Sequence, residues 1–139
     1  MDLKPDITDF HNFINVIKTI DQYLFEQLSV LNSNYDPEDQ LEIKKRIQLV
    51  IELMGYVLTK KIASKIMFDA KYAKRFVTHV DNKVNATKAR EIATLETIGI
   101  ATIYETYENI YKYLSDVLVA LEALLKSSST QPIQFKHME

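Results

Sequence analysis

From Ala86 to Leu124 the chain repeats every seven residues. Ala86, Ala89, Ala93, Glu96, Ile100, Ile103, Tyr107, Ile110, Leu114, Val117, Leu121 and Leu124 fall alternately three and four apart, and Glu96 alone breaks the pattern. Held over more than five heptads, this spacing keeps one seam of a helix turned toward a partner helix. A strand, whose side chains alternate every second residue, cannot use it. Ala63, Ile66, Ala70, Ala73, Val77 and Val80 carry the same spacing upstream. Between the two runs, the residues DNKVN at 81–85 form a tight helix–helix turn, with Asn85 placed to cap the helix that follows. The two runs are therefore read as the strands of an antiparallel helical hairpin, with Ala70 opposite Gly99 and the backbones close together near the tip.

The rest of the chain fits an all-α fold. Only two glycines and three prolines occur in 139 residues, too few for the turns of a sandwich or barrel. A first helix over about 8–31 carries Phe10, Phe13, Ile14, Ile17, Ile20, Leu24, Leu28 and Leu31 on one stripe, starting near Thr8 and stopped by NSNY at 32–35. Asp36-Pro37 opens a second helix, about 37–81, because Asp caps free amides and Pro suits the first helical position. The third helix spans about 86–126. Near its far end Tyr104, Tyr111, Leu118 and Leu125 add a second apolar stripe, matched on the second helix by Ile47, Val50, Ile51, Met54, Val57 and Leu58. A face that wide requires a third helix to cover it, and the first helix is long enough to cover only the base. The expectation is a single domain over 1–126: a short helix packed on a long coiled-coil-like hairpin, giving a three-helix base and a projecting two-helix arm. Residues 127–139, SSSTQPIQFKHME from Ser127 on, are read as a flexible tail.

The arm is also where the positive charge lies. Residues 59–90 hold nine Lys/Arg and two acids, Asp69 and Asp81, in a chain of net charge −2. Lys61, Lys65, Phe68, Tyr72, Arg75 and His79 follow one another at four, three, four, three and four residues, one stripe of a helix placed away from the Ala63/Ala70/Ala73 seam. Lys71, Lys74 and Phe76 flank it, and Lys83 stands in the turn. Cations interleaved with rings suit single-stranded nucleic acid, with Lys61, Lys65, Lys71, Lys74, Arg75 and Lys83 on phosphates and Phe68 and Tyr72 stacked on bases. The same rings packed on the first helix or another subunit, with lysine stems laid over them, make the stripe an interface instead. The pattern fits both.

Other chemistry has little footing. There is no cysteine, so disulfides, thiolate metal sites and Cys nucleophiles are excluded. His11, His79 and His137 stand in separate segments without metal-site spacing, and no phosphate loop or nucleophile elbow occurs. Glu96 lacks a second acid and a pocket. It is read as an ion-pair partner for Lys74 across the seam or as a register-setting polar residue. No cofactor or metal is expected, and the chain is read as non-enzymatic. No apolar run reaches membrane-spanning length, and MDLKPDITD is too polar for a signal peptide, so a cytoplasmic protein is expected.

Residues 55–128 or so resemble small helical-hairpin proteins of tailed bacteriophages. KVNATKAREIATLET and YETYENIYKYLSDVLVALEALLKS carry the likeness, through Ala86, Ala89, Arg90, Glu91, Tyr111, Lys112, Ala120, Leu121, Leu124 and Ser127. Such proteins are similar to recombination mediators of the UvsY type. The resemblance implies a viral helical oligomer in the host cytoplasm that binds single-stranded DNA during recombination or replication. Two further readings stand beside it: a protein-binding adaptor or inhibitor, and a structural assembly subunit, both without nucleic acid.

Overall fold

In a computed structural model, the backbone is described for residues 10–138 and side chains for residues 14–127. The expected lead at 1–7, the start at Thr8 and the side chains of Phe10 and Phe13 lie outside these. Five helices follow in order: α1 (Phe10–Ile20), α2 (Gln22–Leu31), α3 (Gln40–Asp81), α4 (Ala86–Glu96) and α5 (Ile98–Met138). The architecture is the expected all-helical one, with α3 packed along α4 and α5 as a hairpin and with α1 and α2 laid on its base.

Two expected helices are each broken once. The first breaks at Asp21, whose backbone turns to φ −152°, ψ 85°. Its amide closes α1 on the Ile17 carbonyl at 2.8 Å, and its Oδ1 accepts from the Leu24 amide at 3.1 Å, capping α2. The apolar stripe runs through this break undisturbed, since Ile17, Leu24, Leu28 and Leu31 are all buried. The second break is Thr97, at φ −110°, ψ 9°. Its buried hydroxyl donates to the Ala93 carbonyl at 2.7 Å, and Thr102 and Thr106 repeat the bond to Ile98 and Thr102. Hydroxyls bonded back along a helix satisfy themselves without a partner, and they bend it.

The other boundaries follow their caps. Helix α3 begins three residues later than expected. Asp36 Oδ1 takes the Glu38 amide at 2.9 Å in a local turn, which leaves Asp39 to cap the helix through the Glu42 amide at 3.1 Å. Gly55 interrupts nothing, and 42 residues at 1.5 Å each make α3 about 63 Å long. Its end is a Schellman turn: the Val84 amide reaches the His79 carbonyl, and the Lys83 amide reaches Val80, both at 3.0 Å. That turn puts Lys83 at φ 70°, a left-handed position that usually goes to Gly or Asn. Asn85 caps α4 as expected, accepting from Lys88 at 2.9 Å. Helix α5 continues through 127–138, so the segment read as a separate tail extends the helix.

The base has the dry core. Ile43, Val50, Leu53 and Val57 of α3 meet Tyr107, Ile110, Leu114 and Leu121 of α5 under Ile17, Leu24, Leu28 and Leu31. Ile51 and Leu58, expected on this face, are instead exposed on the far side of α3. Two buried polar groups fasten the short helices, beside the Tyr113 hydroxyl of α5 that donates to Asn32 at the end of α2. Arg46, 5% exposed, donates to the Leu31 carbonyl at the end of α2 and to Ser33 Oγ at 2.9 Å, pairs with Glu42 at 3.1 Å and lies 4.1 Å over the Tyr35 ring. Asp21 accepts from the Tyr56 hydroxyl of α3 and the Tyr107 hydroxyl of α5, each at 2.8 Å to Oδ2. Burial, these bonds and the carboxylate's charge push the Tyr56 hydroxyl up to about 12 and the Tyr107 hydroxyl up as well, so both remain protonated donors. Asp21→Ala removes one helix cap and leaves two tyrosine hydroxyls without their acceptor. It is expected to cost about 3 kcal/mol in urea unfolding. A loss below about 1 kcal/mol would show that Asp21 does not hold the base together.

Candidate interaction surface of the arm

Beyond Val57 only two helices remain, and the way they face each other decides what the arm offers to solvent. The stripe expected outside is the one packed inside. Phe68 is half-buried, its ring centroid 5.3 Å from Tyr104 of α5 and 6.0 Å from Tyr72. Lys65 pairs with Asp69 at 3.1 Å, and its Nζ lies 5.1 Å from the Phe68 centroid and 4.9 Å from that of Tyr104. Phe76 is half-buried, with the Arg90 guanidinium 5.9 Å from its centroid. Arg75 and His79 both close on Glu96 of α4, Arg75 through Nη2 and His79 through Nε2. Lys61 is half-buried on the same face, whereas Lys71, Lys74 and Lys83 are exposed.

The seam expected inside is the one left outside. Ala63, Ile66, Ala70, Ala73, Val77 and Val80 are all exposed, and a Cβ placed on Gly99 would meet nothing within 4 Å. At 100° per residue this seam lies roughly 160° around α3 from the packed stripe. The inversion has a physical cause. Turned inward, Phe68 packs on the ring of Tyr104 of α5 at 5.3 Å. Each buried aromatic removes far more apolar area from water than an alanine does. Glu96 adds a polar reason, because turning α3 outward would strand its charge away from Arg75 and His79. Glu96 therefore pairs with these two and not with Lys74. Sequence reasoning missed this, although the signal was present: Arg75 and His79, four apart, are the cations that share a face with Phe68 and Tyr72.

Three faces result. The inner one is aromatic and ionic. The outer one carries Ile51, Leu58, Ile62, Ile66, Val77 and Val80, between 39% and 64% exposed, on a line about 44 Å long at 1.5 Å per residue. Met67, 60% exposed, lies beside it. Single exposed apolar residues are ordinary, but a continuous line of them marks an interaction surface. The third face, between the other two, carries Lys60, Lys71 and Lys74, all exposed. Among the described residues there is no cluster of three or more metal-binding side chains, and no helix is long and apolar enough to cross a membrane.

No family model, curated protein or solved structure matches the chain.

The arm's ionic contact makes its stability depend on pH in one direction. The hydrogen bond from His79 holds the Glu96 carboxyl below its ordinary 4.5, and the Arg75 guanidinium adds to the effect against partial desolvation. A carboxyl lowered in the folded state contributes its stability above the unfolded value and loses it as pH falls through the folded one. Glu96→Gln is therefore expected to melt below the native chain at pH 6–7, and the gap should close below pH 4.5. A gap that stayed constant from pH 7 to pH 3 would mean the ionised carboxylate is not what Arg75 and His79 hold.

Proposed function

We propose that this chain is a non-enzymatic helical docking protein whose arm binds another helix, from a second copy or from a different protein, along the outer face of α3. The observation that carries this reading is the exposed apolar line from Ile51 to Val80, which lies opposite an inner face already occupied by α4 and α5. Long helices with an uncovered apolar stripe gain by burying it against a partner. A photo-reactive benzoylphenylalanine placed at Ile66 should capture protein in an extract of the producing cell. The same group at exposed Glu122 of α5 should not. Equal capture at the two positions, or none at Ile66, would remove the docking reading.

A second reading is supported by the lysine face. Lys60, Lys71 and Lys74 on one line, with Lys83 at the tip, are spaced to follow a phosphate backbone. Phe68 and Tyr72 take no part in it, since their rings are packed inside the hairpin. Binding of this kind is electrostatic and falls steeply with salt. Reversing Lys71, Lys74 and Lys83 to Glu should abolish a low-salt gel shift of short single-stranded DNA without changing the melting temperature, since surface charges contribute little to stability. If the native chain gives no shift at low salt, nucleic acid is not its partner.

A further inference from the structure

The outer line of the arm is also a coiled-coil seam, and its flanks state which helix fits it. Ala63, Ile66, Ala70, Ala73, Val77 and Val80 alternate three and four residues apart, yet none of them is used inside the molecule. Such spacing is maintained by contact with a helix that carries the same repeat. On one flank of the seam stand Ile62, Asp69 and Phe76. On the other stand Lys60, Met67, Lys74 and Asp81. In a parallel pair of helices in register, a residue on the first flank meets the one five positions further along on the partner's second flank. Ile62 then meets Met67 and Asp69 meets Lys74, each contact made twice by symmetry. The third pair, Phe76 with Asp81, is mismatched.

An antiparallel pair with the seams overlapped brings like flanks together. Lys60 then meets Asp81, but Met67 faces Lys74 and Asp69 faces Phe76. The parallel arrangement matches two of three pairs and the antiparallel one of three. In the monomer Asp69 is exposed and uses only Oδ1 for Lys65, which leaves Oδ2 for a second cation. Resting on the docking reading above, we infer that the outer face of α3 seats a second copy of this chain, parallel and in register about a two-fold axis running along the arm. Asp69 of each copy lies against Lys74 of the other.

The absence of cysteine makes the test clean. Ala63→Cys, Ala70→Cys and Val77→Cys are made separately in the full chain, oxidised mildly and run on non-reducing gels. All three positions are exposed, so helical content by circular dichroism should match the native chain. In the parallel pair each of these residues faces its own copy across the axis, so all three variants should yield covalent dimer. Lys71→Cys, on the lysine face, should not. Cross-linking at Ala70 alone would show antiparallel pairing and overturn the proposal. Cross-linking at none of the three would remove the second copy as occupant, and continued capture by the probe at Ile66 would then leave the docking reading standing with a different partner. As an independent arm, Asp69→Lys should weaken dimerisation several-fold by light scattering, and Asp69→Lys combined with Lys74→Asp should restore it. Failure of the swap to restore dimer would overturn the pairing of these two residues.

Discussion

Asp21 is one carboxylate serving three helices. It caps α2 through the Leu24 amide, takes a hydroxyl from α3 and takes another from α5. The short α1–α2 segment has no other polar tie of this kind to both halves of the hairpin among the described residues. Its position also explains the kink that the apolar stripe does not show. Periodicity already puts residue 21 on the buried stripe, four after Ile17 and three before Leu24, and its amide and carbonyl keep helical bonds to Ile17 and Phe25. Breaking there frees the Leu24 amide for Oδ1 to cap, while Oδ2 takes the two hydroxyls. Arg46 is the counterpart at the other end of α2, closing the final carbonyl and the loop residue Ser33. Together they set the depth at which the short helices sit, and so where the dry core ends and the arm begins.

From that boundary outward, α3 must choose which face to give its partner. Its two candidate faces differ in bulk. One is built of rings and cations, the other of alanines and exposed aliphatics. Tyr104 of α5 gives Phe68 a ring to pack on, and Glu96 of α4 takes Arg75 and His79. The choice costs exposure of Ile66 and Val77, and it leaves a complete heptad seam unused.

Much of this was legible in the sequence. The base stripe of the first helix, the turn at 81–85, the Asn85 cap and the antiparallel hairpin all follow from periodicity and capping chemistry, which are local. What failed was non-local. Periodicity marks two faces on α3 but cannot rank them, because the ranking depends on which ring and which carboxylate α5 and α4 turn toward it. Arg46 was equally hidden, since a buried arginine is recognised by its carbonyl and ring partners and not by its neighbours in sequence. The breaks at Asp21 and Thr97 leave the apolar spacing intact, so spacing alone reads straight through them. For the candidate surface, the lysines Lys71, Lys74 and Lys83 were placed correctly in solvent. Lys65 is exposed as well, although it pairs with Asp69, whereas Lys61, Phe68, Tyr72 and Arg75 are half-buried on the inner face.

The molecule is consequently graded along its length. At the base the central side chains are fully shielded and three layers of helix share them. Toward the tip α3 meets α4 through one ionic cluster, through Phe76 beside Arg90 and through the small buried Ala89 and Ala93, and the pair ends at a non-glycine residue in a left-handed turn. Free energy of opening rises with buried apolar contact, so the two ends are not equally closed. The tip is therefore expected to part at a cost below that of unfolding the base, opening from the turn inward while the continuous α3 keeps the two regions on one rod.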